Sequence, residues 1–100
     1  MISRINYSKV IKQANSISDD ADDLKAVIVK LTKYKAQCQS AWKGETADAF
    51  VARLDELITQ MSRTRIQMED LAVTITECAD LIKKEDEQAA ENAASLSSGL

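Results

Sequence analysis

Histidine and proline are absent from this chain of 100 residues, and glycine occurs only as Gly44 and Gly99. The aromatic residues are one Trp, two Tyr and one Phe. Each shortage excludes something. Without histidine there is no His-based metal site and no Ser-His or Cys-His nucleophile. Without proline nothing breaks a helix from within. A single mid-chain glycine cannot build a phosphate-cradling loop, so nucleotide binding has no support. Two cysteines make no disulfide scaffold; Cys38 and Cys78 read as small hydrophobes of a chain synthesised in a reducing cytosol. No run approaches ~18 consecutive apolar residues, and Met1-Ile2-Ser3-Arg4-Ile5-Asn6 lacks the apolar stretch of a signal peptide. Neither a membrane span nor a cleaved leader is expected.

The 13 Lys and Arg stand against 16 Asp and Glu, a formal charge of −3, with both signs interspersed along the chain. The pairs Asp19-Asp20, Asp22-Asp23 and Glu69-Asp70 are neighbours in sequence. Their members therefore point to different sides of a helix and form a solvated face rather than a metal or acid–base site. The basic clusters Lys30-Lys33-Lys35 and Arg63-Arg65 lie among acids and have only Tyr34 beside them, which argues against nucleic acid. They read as side chains snorkelling around a bundle. No catalytic residue, metal, cofactor or small-molecule substrate is expected.

What the chain does contain is helix-forming sequence, rich in Ala, Leu, Lys, Glu, Asp and Gln. Apolar positions step by four and three from Val10 through Ala14, Ile17, Ala21, Leu24, Ile28 and Leu31 to Cys38 and Trp42, with Lys35 breaking the register. A second series has the same spacing: Phe50, Leu54, Leu57, Met61, Thr64, Met68, Leu71, Ile75, Cys78 and Ile82. Val27, Tyr34, Val51, Ile58, Ala72 and Ala79 lie beside these seams and widen them.

Between the seams, Gly44 can take the left-handed conformation that ends a helix. Thr46 or Glu45 can lead into the next helix, and Asp48 places negative charge in its first turn. At the other end, Asn6 or Ser8 can cap the first helix, with Ile5 packing outside it. So short a connection makes the helices antiparallel. The expected fold is all-α, a single helical hairpin over residues 1–90. Helix one spans about 7–42 and helix two about 46–90, with the bend at Trp42-Gly44 and a flexible tail over 91–100. The stripes are wider than one hairpin can bury, so two hairpins are expected to dimerise into an antiparallel four-helix bundle. The core and dimer seam is expected at Leu24, Ile28, Leu31, Phe50, Leu54, Leu57, Met61, Met68, Leu71 and Ile75.

A chain of about a hundred residues, two long helices, Trp42-Lys43-Gly44 at the mid-chain bend and the entry Glu45-Thr46-Ala47-Asp48-Ala49-Phe50 together resemble the WXG family. These are hundred-residue Trp-X-Gly proteins exported by type VII secretion, similar to the early secreted antigens, and the resemblance covers almost the whole chain. It implies that the Trp42-Gly44 bend packs one end of the bundle and forms half of a bipartite export signal. The other half in the family is a Tyr followed four positions later by Asp or Glu, near the end of helix two. This chain departs from that pattern, with Ile82 in the tyrosine place and Asp86 in the acidic place, one helical turn apart.

By this resemblance the chain is a small non-enzymatic protein of a Gram-positive, ESX-like type VII system. It would be made in the cytoplasm, exported as a folded dimer and handled by the secretion ATPase. Its partner would be a second copy or a paralogous hairpin. Alternatively it is an adaptor that pairs with the helical N-terminal targeting domain of a larger secreted toxin. The seams alone would equally suit an intracellular coiled-coil scaffold.

Overall fold

A computed structural model describes residues 5–98, and within them the chain forms two helices, α1 (Tyr7–Ala41) and α2 (Glu45–Ser98). They pack along one another as a hairpin, a rod with extents of 85 × 16 × 14 Å. The N-terminal boundary is set by Asn6, whose backbone is extended and whose side-chain oxygen accepts from the Lys9 N–H at 3.1 Å. Of the two candidate caps, Asn6 takes the role, since it satisfies a donor that the first turn leaves without an intrahelical acceptor.

The bend differs from the sequence expectation in which element Gly44 serves. Helix α1 ends at Ala41, and Trp42 follows in an extended conformation, its N–H still donating to the Cys38 carbonyl at 3.0 Å. Gly44 has φ +120°, and its carbonyl accepts the first bond of α2 from the Asp48 N–H at 3.0 Å. The glycine therefore turns the chain into α2 rather than capping α1. A Cβ on Gly44 would meet nothing within 4 Å, so the constraint is purely one of backbone conformation. Gly44→Ala should lower stability by about 1–2 kcal/mol and the thermal midpoint by several degrees. A midpoint equal to wild type by circular dichroism would show that the bend tolerates a side chain. Glu45 and Asp48 both lie in the first turn of α2, where the helix dipole favours carboxylates.

The second helix is longer than its apolar pattern suggested, remaining helical through Ser98 rather than ending near Ala90. Tyr7, the first residue of α1, contacts Asp86, so about twelve residues of α2 extend roughly 18 Å beyond the end of α1.

The interior is built mostly of alanine. The buried apolar residues are Ala14, Ala21, Ala47, Leu54, Ala72 and Ala79, and among the described residues no large side chain is fully enclosed. Small side chains let two helices approach closely, while each contributes little buried area. Half-buried Leu24, Ile28, Leu31, Met61, Met68, Ile75 and Ile82 flank this line.

The α2 seam is therefore divided relative to the sequence stripe. Leu54, Met61, Met68, Ile75 and Ile82 line the contact with α1, alternating with Ala47, Val51, Ile58, Ala72 and Ala79. Phe50, Leu57, Thr64, Leu71 and Cys78 stand exposed on the outside. Two cations occupy inward positions. Half-buried Lys35 reaches Asp55 across the hairpin at 2.5 Å, and Arg65 pairs with Glu69 one turn away at 3.0 Å. In both, the aliphatic stem covers the seam while the charge reaches a carboxylate at its edge.

Charge is also arranged differently from its reading along the chain. Residues 25–65, folded to the bend half of the rod, hold eight Lys and Arg against four Asp and Glu. The open half, residues 5–24 and 66–98, holds four against twelve. The signs are not evenly interspersed, because the hairpin gathers the basic middle of the sequence at one end and brings both acidic flanks together at the other.

Candidate functional site: the two ends of the rod

Two groups of residues single themselves out, one at each end. At the bend, Trp42 leaves the helical path and lays its ring against Phe50 from the first turns of α2, with centroids 5.9 Å apart and planes inclined by 46°. This is a tilted aromatic contact of the favourable kind. Ala47, between them in sequence, is buried, and its small side chain permits the chain to fold closely here. The Lys43 ammonium donates to the Gln39 carbonyl at 2.6 Å, satisfying an acceptor of the last turn of α1. A shallow depression lined by Gln39, Trp42, Lys43, Asp48 and Val51 lies beside the indole. The packing is incomplete, since Trp42 remains 46 % and Phe50 40 % exposed.

At the open end, Ile82 is half-buried in the α1–α2 contact and Asp86 accepts a hydrogen bond from the Tyr7 hydroxyl. That bond, with burial and the negative charges of Asp86 and Glu87, pushes the Tyr7 hydroxyl up to about 12. A raised value means the folded state holds the proton more tightly. The contribution is fully present below the usual tyrosine range, near 10, and is lost only as pH rises through about 12. Tyr7 is thus a neutral donor at physiological pH. The apolar series that runs from Val10 does not include it. Stepping back one more turn from Val10 reaches Tyr7, whose level on the opposing helix is that of Asp86.

The two ends do not meet within one hairpin. Roughly forty residues of α2 separate Glu45 from Asp86, about 60 Å at the helical rise. Cys38, half-buried near the bend, and exposed Cys78 are both free. No group of His, Cys, Asp and Glu among the described residues could hold a metal ion, and none of the described helices is long and apolar enough to cross a membrane.

No curated protein and no solved structure matches this chain. A family model, that of proteins of 100 residues with WXG, matches residues 3–97. With the Trp42-Lys43-Gly44 bend between two long packed helices, the chain belongs to the WXG100 family, small helical proteins secreted by type VII systems and not typically enzymes.

Proposed function

We propose that this protein is a non-enzymatic component of an ESX-like type VII system, exported as a folded homodimer, with the Trp42-Gly44 bend serving as one part of its export signal. The half-exposed indole at the bend carries this reading. A Trp held on a fixed backbone and only partly covered by Phe50 is an aromatic anchor available to another protein, of the type that dominates contact energies. At the other end, Asp86 stands in the acidic place of the family pattern while Ile82 lacks the aromatic. Tyr7 from α1 brings an aromatic hydroxyl to Asp86 and supports reading this end as the second part of the signal, assembled from two helices. In an antiparallel dimer, Trp42-Gly44 of one chain lies level with Ile82 and Asp86 of the other, so each end of the rod carries both parts.

The test is Trp42→Phe expressed in a cell with an intact type VII system. Phenylalanine retains an aromatic contact for Phe50 but not the larger indole surface, so helicity should be kept while export falls severalfold. Undiminished export of the folded variant would confine Trp42 to packing. Export that requires co-expression of a larger secreted protein would instead favour the adaptor role.

A further inference from the structure

We infer that the groove between α1 and α2 in the acidic half of the rod docks a basic segment of another protein, seating one small apolar side chain of that segment between flanking lysines or arginines. The groove has a volume of about 540 Å³ and is open to solvent along its length, within the size range of binding pockets. Buried Ala14 and Ala72 form its floor and exposed Val73 one wall. Asn15 and Ser18 on α1 and Thr76 on α2 line it, and so do Glu69 and Glu77. Those two carboxylates stand eight residues apart, about 12 Å along α2.

This groove opens on the other side of the hairpin from Phe50, Leu57 and Leu71. Each of those residues precedes an inward one by one position: Val51, Ile58 and Ala72. Asn15, Ser18, Glu69, Val73 and Thr76 instead follow inward Ala14, Ile17, Met68, Ala72 and Ile75 by one. One residue turns a helix by about 100°, so the two sets flank the seam on opposite sides. A homodimer built over the outer stripe leaves the groove open. Thr76 also lies thirty-one residues beyond Glu45, about 46 Å along α2 from the bend, so the contact is separate from Trp42.

Charge selects the occupant. Residues 11–22 and 66–80, which carry the groove, hold seven Asp and Glu against Lys12 alone. Of the seven, only Glu69 is ion-paired among the described residues, with Arg65. The acids do not converge on a metal site. A cationic segment laid along the groove meets the Glu69 and Glu77 ends together, and complementary charge of this kind speeds encounter and excludes acidic competitors. Hydrogen bonding points the same way. The half-buried residues with hydroxyls among those described are Tyr7, Ser18, Ser62 and Thr76. Tyr7 donates to Asp86 and Ser62 to the Ile58 carbonyl, whereas Ser18 and Thr76, both in the groove, have no partner within the chain. They are left to bond a backbone placed across them. Exposed Ile66 and Val73 are the large apolar residues of α2 on this side, a strip that suits a short segment rather than the broad face of a second hairpin.

The experiment titrates the full chain, isotopically labelled for NMR, with a capped Lys-Lys-Val-Lys-Lys peptide. Saturable amide shifts should centre on Asn15, Ser18, Val73 and Thr76. Glu77 is exposed, so Glu77→Lys should keep its helicity by circular dichroism while weakening the peptide about tenfold. Trp42→Phe should bind as wild type does, whatever its export, so a failure here and a failure of the export reading are told apart. No saturation at millimolar peptide, or shifts centred on Phe50, Leu57 and Leu71, would overturn the proposal. Pentalysine binding as tightly as the valine peptide would reduce the contact to bulk charge and overturn it too. Weakened self-association of Glu77→Lys in sedimentation would make a second copy the occupant, with the same consequence.

Discussion

Leu54→Asp should abolish the helical hairpin at any attainable concentration. Leu54 is the one large residue in the buried set, 8 % exposed among alanines that cannot move to make room for water. Shortening a buried leucine already costs about 2–5 kcal/mol. A carboxylate in its place must either hold its charge without a partner or take up a proton, adding several kcal/mol more. Asp55 and Glu56 beside it in sequence make a third negative charge less favourable still. With total stability for a chain of this size on the order of 5–15 kcal/mol and so little interior to draw on, that loss exceeds the margin. Far-ultraviolet circular dichroism checks it. Cooperative melting within a few degrees of wild type would mean that Leu54 does not face α1.

Leu71→Asp presents the opposite case, and its contrast with Leu54→Asp is diagnostic. Leu71 is 51 % exposed within the hairpin, so the substitution removes little from a single chain, of order 0.5 kcal/mol. In the proposed homodimer Leu71 of each copy is covered by the other, and each copy would then bury a carboxylate. A cost of about 2 kcal/mol at each site raises the dissociation constant by roughly a thousandfold. Because dimerisation stabilises the folded chain by mass action, this variant should melt earlier when dilute and recover when concentrated, whereas Leu54→Asp should recover at no concentration. Sedimentation and melting across a hundredfold concentration range check both. Unchanged association of Leu71→Asp would remove this residue from the interface. Unfolding at every concentration would give it an interior role that its exposure within the hairpin does not explain.

Most of the architecture is legible in the chain because it depends on local chemistry. The lack of proline and of interior glycine leaves two long segments free to be helical, and Gly44 is the one mid-chain position where a positive φ costs no side-chain clash. Asn6 offers a side-chain oxygen at the right place to begin α1. The WXG bend, its alanine-rich exit and the resulting hairpin follow from these few residues. The continuation of α2 to Ser98 was hidden because the apolar steps cease after Ile82. Ala89, Ala90, Ala93 and Ala94 extend a helix by propensity without marking a buried face.

Only the tertiary structure decided which side of α2 meets α1. Leu54, Met61, Met68, Ile75 and Ile82 belong equally to two overlapping stripes, one completed by Phe50, Leu57 and Leu71, the other by Ala47, Val51, Ile58, Ala72 and Ala79. Hydrophobicity alone favours the first, with its larger side chains. The helices instead meet along the second, because Ala14 and Ala21 on α1 allow a close approach that small residues opposite them can fill and bulky ones cannot. Phe50, Leu57 and Leu71 are thereby displaced to the outer face. The Tyr7–Asp86 bond and the charge polarity of the rod likewise arise only when the hairpin closes, because residues far apart along the chain have no physical relation until the fold sets them at the same height.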